Sequence, residues 1–200
     1  MPTVSDFCPS CGGRVTCDVK MVGNKKQIVC GNCQFKISEK EIAVTNAPAD
    51  ALSAVTVPAG PRTLGTVLSA EDTAGIRAAL HDALIAKQIA KTVVSTENGF
   101  EALIAFHKAI RNQVKLDLLI LDVNMPILDG INLAVCIRAA EKAAGLPKHP
   151  ILFFTSNIID DPFRRALEYL APARYINKGE GNSGMEFGER LAAVLRGFLG

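Results

Sequence analysis

Two groupings of side chains in the sequence could do chemistry together. The first is Cys8-Pro-Ser-Cys11 and, after eighteen intervening residues, Cys30-Gly-Asn-Cys33. Two CxxC pairs at that separation are a strong signature of a zinc site with four thiolate ligands. Each pair supplies two sulfurs from one tight turn, and neighbouring glycines relieve crowding where backbone N–H groups approach them. The second grouping is dispersed. Glu71-Asp72 follow the apolar run LGTVLS, Asp122 ends DLLILD, Thr155 ends PILFFT, and Lys178 follows ARYIN. An acid at the end of an apolar strand is costly to desolvate unless something uses it. Three clustered acids repel, and a bound divalent cation is the usual remedy; oxygen-only ligands favour Mg²⁺ over zinc. A carboxylate beside Mg²⁺ can attack a phosphoryl group and form an acyl phosphate. A hydroxyl and an ammonium then suit the charge on the phosphoryl oxygens.

Something must carry these groups to one place. From Arg62 onward, short apolar runs at 64–69, 91–95, 117–122, 150–155 and 173–177 alternate with amphipathic stretches near 73–88, 99–112, 130–145, 160–170 and 183–198. Five strand–helix units in sequence predict an α/β fold, a doubly wound and mostly parallel five-stranded sheet. The continuous apolar runs fit strands covered on both faces. Ligands in such sheets bind beyond the carboxyl ends of the strands, which is where all five dispersed residues fall. Asp129, before Gly130, reads instead as a helix N-cap. Between the cysteine pairs, RVTCDVKMVGNKKQIV reads as two strands around a Gly23-Asn24-Lys25-Lys26 turn. Cys17 and Cys136 lie outside both pairs and read as small apolar residues.

With these residues in view, 62–200 resembles a bacterial response-regulator receiver domain, a flavodoxin-like fold, and 1–41 resembles a zinc ribbon. The match rests on order and spacing: Glu71-Asp72 after the first strand, Asp122 in LDVNMPILDG, Thr155 after the fourth, and Tyr175 three residues before Lys178. The resemblance implies that Asp122 accepts a phosphoryl group from a histidine kinase or a phosphotransfer protein. It implies that Asp72, Asp122 and the backbone carbonyl of Asn124 hold Mg²⁺, with Glu71 acting mainly through a metal-bound water. Thr155 and Lys178 would bind the phosphoryl oxygens, and Tyr175 would act as the switch aromatic, changing the face formed by the fourth helix, fifth strand and fifth helix. Pro126 and Gly130 would shape the loop that starts the third helix. One departure stands out: Gly179 occupies the place where family members usually carry proline after the lysine. Non-proline cis bonds are rare, so a trans Lys178–Gly179 bond is expected.

Residues 42–61, IAVTNAPADALSAVTVPAGP, carry a single charge and read as a flexible linker. The domain expectation is therefore a ribbon at 1–41, a linker at 42–61 and a receiver at 62–200, with no output domain after the last helix. The protein would be a phosphoacceptor that switches a surface for a downstream protein partner, rather than an enzyme. The ribbon, a structural zinc module, would dock or target the protein. Its first forty residues hold six Lys/Arg and three Asp/Glu, or +3; four thiolates and Zn²⁺ add −2, leaving +1. That is too weak to argue for nucleic acid on charge. A transcription regulator whose ribbon binds nucleic acid stays open as an alternative, as does a pseudo-receiver scaffold that needs no phosphorylation. A dehalogenase-type phosphatase fits poorly, because DVN lacks a second acid and follows the third strand. Over the 200 residues, 48% are apolar and the net charge is +2. That balance suits a medium domain with a small extra module and no broad basic surface. The apolar runs are too short to span a membrane, and MPTVSDFCPS lacks the regions of a signal peptide, so a cytoplasmic location is expected.

Overall fold

The computed structural model of the chain describes residues 3–23, 25–41, 63–156, 160–178 and 187–199. The first four strands are β1 (Thr3–Cys8), β2 (Gly13–Val22), β3 (Lys25–Cys30) and β4 (Lys36–Glu41). They form one antiparallel sheet in the order β1-β2-β3-β4. Lys25 and Lys26, expected in the turn, instead open β3, where Lys25 pairs with Val22 and Lys26 with Met21. A two-residue connection matches the twist of a hairpin better than a four-residue one, and Gly23 takes the required positive φ of 62°. The two outer strands, β1 and β4, carry too few alternating apolar residues to stand out in the sequence.

The remainder runs β5 (Leu64–Ala70), α1 (Ala74–Ala86), β6 (Ala90–Thr96), α2 (Gly99–Arg111), β7 (Leu118–Asp122), α3 (Gly130–Ala144), β8 (Ile151–Thr155), α4 (Asp161–Tyr169), β9 (Ala173–Asn177) and α5 (Phe187–Leu199). All five strands are parallel, in the order β6-β5-β7-β8-β9. This is the doubly wound sheet expected from the sequence. β7 and β8 are buried along their whole length, as continuous apolar runs require. Strand order reverses between β5 and β7, the place beyond whose carboxyl ends ligands bind in sheets of this kind. The linker stretch 42–61 and Gly179 lie outside the described residues.

Short-range chemistry fixes the helix entries. Asp129 is the N-cap of α3, accepting from the Asn132 N–H at 2.8 Å. Asn98 and Asp160 cap α2 and α4 in the same way. Gly130 allows α3 to begin against β7: a Cβ there would collide with the Asp122 carbonyl oxygen. Gly130→Ala is therefore expected to cost about 1–3 kcal/mol through forced backbone displacement. A lowered melting temperature would show it, whereas an unchanged melt would contradict this packing.

Candidate phosphoacceptor and metal sites

Glu71 and Asp72 follow β5, and Asp122 ends β7 on the neighbouring strand. One carboxylate oxygen from each lies within 4.8 Å of the others. Glu71 and Asp122 are buried, while Asp72 is exposed at the mouth. The Lys178 ammonium, just past β9, sits 2.8 Å from Glu71 Oε2 and 2.9 Å from Asp122 Oδ2. It also lies 5.0 Å from the centroid of the Phe154 ring. Burial pushes the Glu71 and Asp122 carboxyls above the usual carboxylate range, and Lys178 only partly offsets this. At these distances the ammonium makes a charge-assisted contact with each of the two buried carboxylates. Three acids facing one ammonium leave excess negative charge on hard oxygen donors, which is the donor set that suits Mg²⁺.

The loop that carries the acids is held by a residue the sequence reading passed over. Arg77, in the first turn of α1, donates to the Glu71 carbonyl at 2.7 Å and to the Asp72 carbonyl at 3.1 Å. The Thr73 N–H approaches Glu71 Oε1 at 3.3 Å, fixing that carboxylate from below. An arginine six residues after the first acid was the available signal. Asn124 lies two residues beyond Asp122, and its N–H donates to Asp122 Oδ1 at 3.3 Å. Thr155, buried, ends β8, and its carbonyl accepts from the Lys178 N–H at 2.7 Å. Glu71, Asp72, Asp122, Asn124, Thr155 and Lys178 thus share one end of the sheet. Tyr175 does not join them: its hydroxyl lies 3.2 Å from Cys11 Sγ, in the ribbon, and its ring packs edge-on against Phe163.

Raised carboxyl pKa values have a signed consequence. A folded protein that holds its protons to higher pH than the unfolded chain is most stable below the ordinary carboxylate range, and it loses that advantage as pH rises through the raised values. In chelator, the receiver is expected to melt at lower temperature near neutral pH than at mildly acidic pH. Mg²⁺ should remove most of the difference, and Asp122→Asn should raise the neutral-pH melting temperature by a few degrees. Thermal denaturation with and without Mg²⁺ checks this, and a melting temperature that rises from acid to neutral pH in chelator would contradict it.

The four cysteines form a second site. Cys8, Cys11, Cys30 and Cys33 are free thiols whose sulfurs lie within 4.8 Å of one another. Cys8 Sγ is 3.5 Å from Cys33 Sγ, and Cys11 Sγ is 3.7 Å from Cys30 Sγ. The two knuckles are built alike. The Cys11 N–H points at Cys8 Sγ (3.4 Å) and the Cys33 N–H at Cys30 Sγ (3.5 Å). The residue after each pair has positive φ, 77° at Gly12 and 59° at Gln34. Gln34 gives no hint of this in the sequence. The sulfur hydrogen bonds with Cys11 push the Cys8 thiol up and pull the Cys30 thiol down. So crowded a set of thiols suits a tetrahedral ion in place of its protons, and the donors fit zinc. Cys17 is buried on β2, and Cys136 sits in α3.

The fold and both sites can be set beside known proteins. The response regulator receiver domain family model matches residues 67–185, more than half of the chain. The chain belongs to that family. Vibrio cholerae chemotaxis protein CheY4 is 22% identical, with a TM-score of 0.52 and 67% of this chain and 98% of that one covered. The receiver domain of the Arabidopsis thaliana histidine kinase CKI1, solved with Mg²⁺ and BeF₃⁻, is 20% identical with a TM-score of 0.55, covering 67% and 89%. The phosphorylated cyanobacterial phytochrome response regulator RcpA is 20% identical with a TM-score of 0.54, covering 68% and 95%. At these identities the likeness shows the fold alone. None of the curated proteins matches the chain significantly. The clustered cysteines on an antiparallel sheet are consistent with a zinc ribbon, and no helix among the described residues is long and apolar enough to cross a membrane.

Proposed function

We propose that the protein is a cytoplasmic phosphoacceptor in a two-component pathway, taking a phosphoryl group on Asp122 from a histidine kinase or phosphotransfer protein. The observation that carries this reading is the Glu71, Asp72, Asp122 and Lys178 cluster at the strand-order reversal. Asp72, Asp122 and the Asn124 carbonyl would hold Mg²⁺, with Glu71 behind them. The ion would neutralise charge that builds on the transferred phosphoryl oxygens. Asp122 Oδ supplies the nucleophile, forming an O–P bond as the donor's bond to phosphorus breaks. Lys178 exchanges its contact with Asp122 for the phosphoryl oxygens, and the Thr155 hydroxyl donates to another of them. Phosphorylation then shifts a pre-existing equilibrium at Thr155, Tyr175 and the surface beyond, where a downstream protein binds. Residues 1–41 act as a structural zinc module, 42–61 as a linker and 62–200 as the receiver.

Acetyl phosphate, a small donor, isolates the receiver from any kinase. Uptake that needs Mg²⁺ and stops with chelator is the expected result. A chain that takes up no phosphoryl group from acetyl phosphate, and binds no beryllofluoride with Mg²⁺, would contradict the proposal.

A further inference from the structure

β9 is an edge strand, so its outer row of N–H and C=O groups needs partners from elsewhere. The first cysteine knuckle supplies them. The Asn177 N–H donates to the Ser10 carbonyl at 2.7 Å, and the Ser10 hydroxyl donates to the Tyr175 carbonyl. Ser10 is itself buried, which a knuckle residue on a free ribbon would not be. Beside it, the Tyr175 hydroxyl lies 3.2 Å from Cys11 Sγ. A metal-bound Cys11 carries no proton, so the hydroxyl must be the donor there.

A second, independent observation lies in α5. Arg190 is only 2% exposed, although it carries a guanidinium. Its hydrogen bonds go to the carbonyls of Asn177, Lys178 and Pro9. Carbonyls satisfy its donors but not its charge, and a buried charge without a counter-ion is unstable. The groups whose charge favours the guanidinium are Cys8 and Cys11. Four thiolates around Zn²⁺ carry −2, which makes the metal site a counter-ion for Arg190, and none of the salt bridges among the described residues gives it another. Gly12 is shaped to this contact, since a Cβ there would strike the Arg190 guanidinium.

We propose that the ribbon is the receiver's own docked ligand: the Cys8–Gly12 knuckle is seated on the edge of β9 by Ser10, Tyr175 and Arg190, and metal loading of the four thiolates is what holds it there. The ribbon then covers the surface around Tyr175, and any partner using that surface must displace it. Metal content becomes a second input to the receiver, separate from phosphorylation.

Hydrogen exchange on the zinc-loaded full chain tests this, with zinc content measured in parallel. The Asn177 amide and residues 8–12 should be protected. Arg190→Ala should accelerate exchange at Asn177 by about tenfold or more, a loss of the size expected for one buried, charge-assisted contact. Zinc content and protection of β7 should stay unchanged, and Arg190→Lys should restore part of the Asn177 protection. If Arg190→Ala fails to fold, Ser10→Glu serves, because it buries a carboxylate in the interface without touching a metal ligand. Zinc removal should expose Asn177 to the same degree. Protection at Asn177 that survives zinc removal, or that survives both Ser10→Glu and Arg190→Ala with zinc retained, would overturn the proposal. Phosphoryl uptake is not read in this experiment, so its failure leaves the assignment of Asp122 untouched.

Discussion

Stripping the metal from the four thiolates with a strong chelator is expected to unfold residues 3–41 and leave the receiver folded. The ribbon's buried apolar residues are few: Cys8, Cys17, Val29, Cys30 and Phe35. A four-stranded sheet of about forty residues cannot offset its chain entropy with so small a core, so metal binding and folding are one event. The receiver has an interior on both faces of its sheet, Leu68, Phe106, Leu119 and Phe153 on one and Val67, Leu80, Leu118 and Leu152 on the other, where the ribbon's Cys8, Cys30 and Phe35 join the edge of a core already formed. Circular dichroism and amide exchange should therefore report loss of β1–β4 with α1–α4 retained. Cys30→Ser should act like the chelator, and Cys136→Ser should do nothing. A ribbon that keeps its exchange protection without metal would show that the apolar contacts of Phe35 and Val29 suffice.

Asp122→Asn is expected to abolish phosphoryl uptake altogether, with the fold intact. The amide has nearly the shape of the carboxylate but lacks the nucleophilic charge. In Mg²⁺-free protein, one fewer buried anion stabilises the site. Lys178→Ala is expected to act differently: it leaves Glu71 and Asp122 buried without their ammonium, so Mg²⁺-free stability should fall while a weak, Mg²⁺-dependent uptake persists. The contrast separates a nucleophile from a residue that manages charge. Equal loss of uptake in both variants, with equal loss of stability, would instead point to a shared structural role.

How much of this was legible in the sequence depends on the range of the interaction. The five parallel strands announced themselves because burial on both faces demands continuous apolar runs, as in LLIL and ILFF. The site followed because strand ends set its position. Asp122 and Lys178 meet across one intervening strand, β8, only because each lies at a strand's carboxyl end. Asp129 was readable because a cap and the N–H it accepts from are three residues apart. Contacts between distant parts of the chain were not readable. Arg190 looks like one more charge on an amphipathic helix, and its burial depends on a knuckle about 180 residues earlier. Tyr175 was placed correctly on its strand, but its hydroxyl partner, Cys11, lies in a different module. Glu141 likewise reads as a surface residue of α3, yet it is buried between Arg138 and His149. In each case the deciding partner belongs to an element whose packing no local pattern records.

The central claim concerns one oxygen atom, and one measurement addresses it. The full-length, zinc-loaded chain is treated with acetyl phosphate and Mg²⁺, the acyl phosphate is trapped by borohydride reduction, and the modified residue is located by peptide mass spectrometry. The expected result is a single Mg²⁺-dependent modification at Asp122, absent from Asp122→Asn and from chelator-treated protein. Modification at Glu71, Asp72 or another residue, or label that persists in Asp122→Asn, would contradict it.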